Sequence, residues 1–456
     1  FNGSHFKMTA DIDMEYDENF TGLGKDNTGK IQFGGIFDGN GHTLSKIKIN
    51  SIAFDDNGKI NTNGSRKFTG FIGCLAESGV IRNLTIAADC DFNMYSNAGA
   101  IAGYSYGLIE NCKNYATVKG YMNYIGGIVG YNGPSGRIRN CFNSGTVYSG
   151  SEAVGGITGA SNGIVESCQN TGLVSALPLS ITYKAGSQGS AGGIAGLNSG
   201  IIRNVLNTGK VATYDNVSGI VGGTQKVSGS GGSVINAINY GEIEIWYDRS
   251  TSGQIIGDNS GATETTNNYY DIQIQALAAV NNQKRENNNG VNTKDLIAGK
   301  LALPDSAWIQ KENMYPMLIA FKNEPQAQLD ARAAIVLDTA SSLANISKEG
   351  GKLQNSSEIQ WQLTKKAFFR IEEGTLKVTM PTDQVVTDTL VATYNNVKRM
   401  IPIRALYNIL EGKGTQEEPW LIRTPNDMAK LSDFVHKTGH EYRGEYFKVM
   451  EDLDFE

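Results

Sequence analysis

Aromatic residues that follow short apolar segments are the side chains of this chain whose type and spacing best suit binding. Five such segments recur, ATV (116–118), GTV (145–147), GLV (172–174), GKV (209–211) and GEI (241–243), and a variable stretch with an aromatic residue follows each. The predicted glycan-binding residues are Tyr121, Tyr124, Tyr148, Tyr183, Tyr214, Trp246 and Tyr247, with Phe92 and Tyr95 extending the series. Rings in a row can stack on sugars, while Asn123, Asp215, Asn216 and Asp248 bond hydroxyl groups. An external aromatic stack that only shields a strand edge is the alternative, and the residues leave both open.

Candidate catalytic groups are few. His436 and His440 stand four residues apart at the end of a predicted helix, but no third ligand with metal spacing lies near them. Asp11, Asp13 and Asp38 could bind a cation or protonate a sugar. Apart from one column of alternating charges, no repeat gathers carboxylates with basic residues at one lateral site, so the sequence predicts no enzyme, no catalytic residue, no metal and no cofactor. A polysaccharide lyase or hydrolase stays as the less favoured alternative.

A glycine-rich repeat sets the elements that must position these residues. Gly-x-Ile-x-Gly or a close variant occurs six times, as GAIAG (99–103), GGIVG (126–130), GGITG (155–159), GGIAG (192–196), SGIVG (218–222) and GQIIG (253–257). The final glycines are 27, 29, 37, 26 and 35 residues apart. A strand-rich repeat of this length cannot bury its apolar side alone and must stack on its neighbours.

Aligned columns predict how the coils stack. Two apolar columns lie three residues apart: Ile81, Ile109, Ile138, Val165, Ile202, Val234 and Leu84, Cys112, Cys141, Cys168, Val205, Ala237. Both can point inward only if the chain bends between them, at Asn83, Asn111, Asn140, Ser167, Asn204 and Asn236. A second corner is predicted at Asn114, Asn143, Asn170, Asn207 and Asn239. Strand, corner, strand, corner, strand is a three-faced parallel β-helix of about 26–37 residues per coil.

A charged column fixes the register. Arg82, Glu110, Arg139, Glu166 and Arg203 alternate in sign from coil to coil. In-register stacking places equivalent residues about 4.8 Å apart, so each glutamate should lie between two arginines. We interpret this column as structural.

Composition excludes several classes of function. The 456 residues carry a net charge of −6 without a basic cluster, which argues against a nucleic-acid partner. No apolar run approaches the length of about 20 residues that spans a membrane. Three of the five cysteines lie in the stacked apolar column, and we expect them to be small core residues rather than disulfide or metal partners.

These segments resemble the GLUG-motif repeats of bacterial cell-surface proteins over about residues 1–320. The resemblance rests on GGIVGYN, on the NCxNxG corner, on FKMTADIDM (6–14) leading into FGGIFDGNGHTLSKIKI (33–49), and on NNYYD (267–271) with WIQKENMYPML (308–318). It implies a right-handed β-helix on the extracellular surface of a bacterium, adhesin-like and without established chemistry. Ser218 in place of the first glycine and the insertion at 175–190 depart from the pattern.

The tail changes character. Alternating strands are expected at 332–338, 358–363, 374–380, 388–394 and 399–406. Their order resembles the atypical immunoglobulin-like domains of bacterial surface proteins, which implies a spacer. The expected domains are the β-helix (1–275), its closing segment (276–322), an immunoglobulin-like β-sandwich (323–410) and the N-terminal cap of a following β-helix (411–456).

The last expected domain repeats the beginning of the chain. After a predicted helix at Pro425–Lys437, YRGEYFKVMEDLDF (442–455) matches FNGSHFKMTADIDM (1–14) at five positions, 441 residues later. We therefore expect a piece of a tandemly repeated or filament-forming surface protein. Its expected partners are neighbouring modules of the same protein, and host or environmental glycans.

Overall fold

The computed structural model describes most of the chain, in eighteen segments. They are residues 3–24, 30–150, 153–176, 189–213, 216–224, 232–245, 251–261, 263–275, 278–280, 288–338, 345–346, 351–353, 359–379, 386–394, 397–405, 410–412, 414–438 and 445–454. The chain divides into two compact units. The first is Phe1–Ile335 with Asn395–Lys398, and the second is Val336–Tyr394 with Arg399–Glu456.

The first unit is a parallel β-helix whose described strands form three sheets, as the sequence predicts. Sheet A contains His5–Lys7, Ile12–Asp13, Ile36–Asp38, Thr43–Ser45, Val80–Arg82, Thr85–Ile86, Leu108–Glu110, Lys113–Asn114, Arg137–Arg139, Phe142–Asn143, Ile164–Glu166, Gln169–Asn170, Ile201–Asn207, Ser233–Asn239, Glu264–Thr266, Asn268–Asp271 and Asn288–Val291. Neighbouring strands are parallel and in register, so that Ile109 lies between Ile81 and Ile138.

Two further parallel sheets close each coil. Sheet B contains Ile72–Leu75, Ala102–Ser105, Val129–Asn132, Thr158–Ser161, Ala195–Asn198, Val221–Thr224 and Ile256–Asp258, and each Gly-x-Ile-x-Gly segment turns from the end of a sheet C strand into the start of a sheet B strand. Sheet C contains Lys48–Asn50, Asp91–Gly99, Thr117–Gly126, Val147–Ser149, Ala153–Gly155, Val174–Ala176, Ser190–Gly192, Val211–Thr213, Asn216–Ser218, Ile243–Ile245 and Ser252–Gly253. The isoleucine at the centre of each repeat, from Ile101 to Ile255, is fully buried between the sheets.

Both predicted apolar columns point inward and are fully buried. The bend between them lies at the predicted corner, where every residue from Asn83 to Asn236 has a positive φ of 51–54°. Asparagine adopts this left-handed conformation more readily than most residues, which explains the column. Ser167 takes the same conformation with φ 53°.

The second Asn column is a buried amide ladder. From Asn114 to Asn207, each Nδ2 donates to the Asn Oδ1 of the next coil, over 2.8 Å from Asn114 to Asn143 and 2.9 Å from Asn170 to Asn207, whereas Asn239 donates to Gln254 Oε1 at 2.6 Å. The same Nδ2 donates to the carbonyl oxygen two residues ahead, as in Asn143 to Gly145 at 2.8 Å. All five side chains are fully buried. The sequence predicted the corner here, and the structure adds that the amides bond the coils together.

The alternating charges form the predicted column. Arg139 Nε donates to Glu110 Oε2 at 2.6 Å, and Arg203 Nε to Glu166 Oε2 at 2.9 Å. Arg82 pairs with Asp38 of the preceding coil instead, at 2.9 Å. Lys7 stands opposite Asp38, so the column begins two coils earlier than predicted.

A strap (residues 308–331) folds back along the outside of sheet A. It contains an antiparallel pair (Trp308–Ile309 with Met317–Leu318), a 3₁₀ turn (Ile319–Phe321) and the first half of the helix Pro325–Asp338. Tyr315 donates its hydroxyl hydrogen to Asp271 at 2.6 Å, so the strap meets the NNYYD segment.

The strap covers a column of residues that point outward from sheet A and are mostly apolar. Phe142, Gln169, Leu206 and Ile238 are fully buried although they point away from the core of the coils. Further along, Glu324 accepts bonds from Lys113 (2.7 Å) and Tyr115 (2.8 Å). Other strap contacts are Phe142–Phe321 with ring centroids 5.4 Å apart, and Tyr240–Tyr315 stacked at 4.3 Å.

A buried carboxyl group joins the strap to a coil corner. Asp330 is fully buried, and accepts hydrogen bonds from Thr208 Oγ1 at 2.5 Å and Gln326 Nε2 at 2.7 Å. Burial raises the pKa of Asp330 to about 6, although these two bonds oppose the rise. Tyr240 also faces this carboxyl group, which together with burial raises the pKa of the phenol.

The second unit contains two small sheets. One has the order Asn345–Ile346, Val397–Ala405, Val386–Tyr394 and Gln360–Leu363, and the other Gly351–Lys352, Thr375–Val378 and Phe369–Glu372. Four of the five predicted strands are therefore present. The fifth prediction was wrong: residues 332–338 belong to the helix Pro325–Asp338. Its Ile-Val-Leu run looked like a strand, but a proline at the first helical position and the alanines, glutamines and arginine around the run favour a helix.

The unit ends with a strand–helix–strand segment. Trp420–Ile422 pairs in parallel with Phe447–Val449, and the helix Pro425–Thr438 lies between them in sequence. The helix begins with a capping box, because the backbone N–H of Asp427 donates to Thr424 Oγ1 (3.2 Å) and that of Thr424 to Asp427 Oδ2 (3.0 Å).

The charge column yields a first prediction. Glu110→Arg places three arginines in succession and should lower the free energy of unfolding by about 1 kcal/mol. Adding Arg139→Glu should recover part of that loss, because one opposite-charge pair is restored. Chemical denaturation of the parent and both variants measures the effect, and equal stabilities would contradict the column.

The Asp330 carboxyl group yields a second prediction. Because its pKa is raised from 3.8 to about 6 in the fold, its contribution to stability is complete below pH 4 and is lost as pH rises through 6. At pH 8 the free energy of unfolding of Asp330→Asn should therefore exceed that of the parent by up to about 3 kcal/mol. Near pH 4 the difference between the two should be smaller. Denaturation at both pH values tests this. The exposed Asp305→Asn in the same unit is the control and should show no such difference.

Candidate functional site

Three of the seven predicted aromatic residues lie in the described part of the chain. Tyr121 and Tyr124 are on the strand Thr117–Gly126, and Tyr148 is on Val147–Ser149, all half-buried. Tyr183, Tyr214, Trp246 and Tyr247 lie outside the described residues, as do Asp215 and Asp248.

The expected loop is missing from the first coils. Asp91–Gly99 and Thr117–Gly126 run from the third strand into the next repeat without a break, and they pair along their length. Asn97 and Asn123 turn the corner with φ of 46° and 56° at a bulge. Phe92 and Tyr95 do not extend an exposed series, since Phe92 is fully buried in the core and Tyr95 is 5% exposed.

The described tyrosines do not form one row. Tyr148 lies opposite Lys119 and Ser175 in an outer column of sheet C, whereas the Cα partner of Tyr124 is Ala153. The Tyr124 ring turns instead toward Tyr131 of sheet B, with centroids 5.6 Å apart. The described part of the predicted edge is thus divided between two surfaces.

The second surface is a tyrosine patch, defined here as Phe68, Tyr104, Tyr106, Tyr124 and Tyr131. Tyr104 and Tyr131 stand in equivalent positions of adjacent coils and stack at 4.5 Å. Phe68 meets Tyr104 edge-on at 4.9 Å, and Tyr106 lies 6.0 Å from it. All five rings are half-buried, so they pack on one another and still present surface to solvent.

Polar groups accompany these rings. The Asn162 amide donates to the Tyr131 hydroxyl at 2.8 Å. Burial, and then the neighbouring phenols, raise the pKa of Tyr104 and of Tyr131, so both hydroxyl groups keep their protons near neutral pH. Neutral hydroxyl groups at the border of an aromatic surface suit hydrogen bonding to sugar hydroxyls.

The sequence carried a signal for this patch that loop-based reasoning missed. A tyrosine directly follows the final glycine in GAIAGY and in GGIVGY, two adjacent repeats. In-register stacking must place such residues in contact on one outer face of sheet B.

The candidate carboxylates are separated and held by hydrogen-bond donors and cationic side chains. Asp11 accepts from the Thr43 backbone N–H (2.8 Å) and lies 3.1 Å from His42 Nδ1, and these two interactions lower its pKa. Asp13 pairs with Lys46 at 2.5 Å. Asp38 bonds Arg82 and Asn83. Among the described residues no three His, Cys, Asp or Glu side chains converge as metal ligands would. The side chains of His436 and His440 lie outside the described residues.

The stacked cysteines are buried and carry free thiols. Burial raises the pKa of Cys112 and Cys141 well above the usual range, so these thiols are unreactive. They fill the core as expected.

The comparison with known families bears on the coil that contains Tyr124 and Tyr131. The model of the GLUG motif matches residues 123–148, which cover the Gly-x-Ile-x-Gly strand, the Asn corner and the next strand. This coil therefore matches the GLUG motif. The in-register neighbours of the GLUG coil repeat its glycine, isoleucine and asparagine columns, as the sequence predicts.

Comparison with whole proteins adds less. No curated protein matches the sequence. A crystal structure of a "putative immunoglobulin A1 protease" from Bacteroides ovatus matches with a TM-score of 0.43 and 21% identity, over 69% of this chain and 86% of that one. A TM-score this low assigns this chain neither a shared fold nor a protease activity. Within the described residues, no helix has the length and apolar character to cross a membrane.

Proposed function

We propose that this chain is a non-enzymatic scaffold module of a bacterial surface protein, adhesin-like in its role. The observation that supports this is how its charged groups are used. The carboxylates that could act in catalysis, Asp11, Asp13 and Asp38, each pair with a neighbouring coil. The buried amides bond coil to coil in the same way. Side chains committed to the register are suited to holding a shape rather than to performing proton transfer.

The scaffold proposal predicts no cleavage of polysaccharides. The chain is incubated with acidic and neutral polysaccharides, with and without Ca²⁺, and new reducing ends and unsaturated products are measured. We expect none. In the producing bacterium, protease treatment of intact cells should release fragments of the chain. Cleavage that Asp38→Asn abolishes would contradict the proposal and favour an enzyme, and protection of the chain in intact cells would contradict a surface location.

Glycan binding is a second candidate function, and the tyrosine patch is a better candidate site for it than the predicted loop edge. Two stacked rings with protonated hydroxyl groups lie on one outer face, next to the amide of Asn162. A sugar ring could lie on the exposed faces of Tyr104 and Tyr131 and bond their hydroxyl groups. Such a site would recognise the face of a pyranose ring rather than a charged group.

The patch and the edge are distinguishable by substitution. On a glycan array followed by calorimetry, Tyr131→Ala should weaken binding by about tenfold or more, and Tyr131→Phe by less, because the ring remains. Tyr148→Ala is the matched control on sheet C and should have no effect. If Tyr148→Ala alone weakens binding, the site is the predicted edge. If no glycan binds, the glycan proposal fails, and the scaffold proposal is untouched.

A further inference from the structure

Sheet A has a second outward surface, on the first strand of each coil, whereas the strap packs on the second strands and the corners after them. Each first strand turns its middle residue inward, from Ile81 to Ile202, and its two end residues outward. The first of these end residues stack coil on coil as Ile36, Val80, Leu108, Arg137, Ile164 and Ile201. Ile201 is 39% exposed, and the others are half-buried. The surface therefore presents a mostly apolar column.

The last residue of each of these strands is charged, and the sign alternates along the surface. In coil order, the members are Asp38, Arg82, Glu110, Arg139, Glu166 and Arg203. The carboxylate side chains are 13–16% exposed, whereas the arginine side chains are 41–42% exposed. Arg82 bonds Asp38 through Nε, and within the described residues its two Nη atoms have no acceptor. The arginines are thus paired inside the chain, and Arg82 keeps N–H groups for a further acceptor.

An alternating column is complementary to itself when it is turned end for end. Consider a two-fold axis that crosses this surface at right angles to the coil stack, midway between the coils of Glu110 and Arg139. It reverses the order of the coils and keeps each column opposite itself. The charged pairs between two copies are then Glu110 with Arg139, Arg82 with Glu166 and Asp38 with Arg203. Every contact in the charged column joins opposite signs.

The same axis brings the apolar columns together. The facing pairs are Ile36 with Ile201, Val80 with Ile164 and Leu108 with Arg137. Only the central pair contains a charged residue, and the long aliphatic stem of its arginine can lie against leucine. The apolar column thus matches itself in the register that the charges select.

Other arrangements match less well. Moving the axis by half a coil sets like charges face to face, as with Arg82 opposite Arg139. Moving it by a whole coil keeps the signs but places Val80 opposite Ser233, or Ile164 opposite His5. A parallel arrangement sets either like charges opposite each other or the charged column against the apolar one. The antiparallel register between the coils of Glu110 and Arg139 therefore satisfies both columns best.

We propose that two copies of this chain associate through this surface, face to face and antiparallel, about that two-fold axis. The contact is isologous, so it closes at two copies and builds no fibre. It is two columns wide and about 24 Å long, since six coils are spaced by about 4.8 Å. An interface of that size falls below the standard of about 1,600 Å², and the association is correspondingly weak. The dimer goes beyond the proposed scaffold function, and its absence would leave that proposal untouched.

Cross-linking between two single-cysteine variants tests the register. Val80→Cys and Ile164→Cys face each other only across the two copies, and the five native thiols are buried. Because packed sheets lie about 10 Å apart, beyond the reach of a disulfide, a short bismaleimide is the probe. The mixture of the two variants should yield at least tenfold more cross-linked dimer than either variant alone. Leu108→Cys mixed with Ile201→Cys is the control, because those positions meet only if the axis lies one coil further along.

A charge at the exposed end of the apolar column tests the association itself. Ile201→Asp should raise the dissociation constant of the dimer at least tenfold in sedimentation equilibrium, since the axis places the change in the interface twice. Ile272→Asp is the matched control, at 38% exposure outside this surface, and should dimerise like the parent. Tyr131→Ala, the variant of the glycan test, should do so too. Thermal melting of each variant checks that the fold is kept.

Three results would each overturn the proposal. The first is a mixture of Val80→Cys and Ile164→Cys that cross-links no better than either variant alone. The second is preferential cross-linking of the Leu108→Cys and Ile201→Cys mixture, which would show a different register. The third is an equal effect of Ile201→Asp and Ile272→Asp, which would show non-specific association. None of them bears on cleavage, surface exposure or glycan binding, the readouts of the functions proposed above.

Discussion

The buried amide ladder is the constraint on which the rest of this β-helix depends. From Asn114 to Asn207, each ladder asparagine donates both to its own coil and to the next, and these side chains are fully buried. A coil that slipped by one residue would leave buried amides without partners, at a cost of about 1–3 kcal/mol each. The ladder therefore sets the register, and the apolar columns and surface charges follow from it.

Columns of this kind are what a sequence reveals best. Strict repetition made the inner isoleucines, the corner asparagines and the alternating charges visible without a structure, and all are found where they were expected. In the first coils the predicted loop is absent because Asn97 and Asn123 turn the corner inside continuous strands, while Tyr183, Tyr214, Trp246 and Tyr247 of the later coils lie outside the described residues. Nothing in the spacing of Tyr121 and Tyr124 distinguishes a loop from a bulged strand. For the tyrosine patch, the repeat pattern indicates the contact of Tyr104 with Tyr131 but not the addition of Phe68 and Tyr124, which lie outside that column.

The strap was hidden for another reason. Its contacts join residues far apart in sequence, such as Thr208 with Asp330 and Phe142 with Phe321, and no repeated pattern in the sequence predicts them. Phe142, Leu206 and Ile238 did carry a signal, because apolar residues at outward positions of a solenoid imply a cover. The wrong strand at 332–338 obscured it, since it placed the covering helix in the next domain.

The structural features that distinguish one part of this chain from another lie where the sequence repeat is interrupted. Inside the β-helix every coil makes the same bonds to the coils on either side, so no single coil is distinguished by its backbone. The outer faces lack that symmetry: the non-repeating strap packs on sheet A, and the tyrosine patch centres on Tyr104 and Tyr131 of sheet B. A scaffold that gains stability from identical coils must gain specificity from these exceptions. The search for partners should therefore begin at the tyrosine patch.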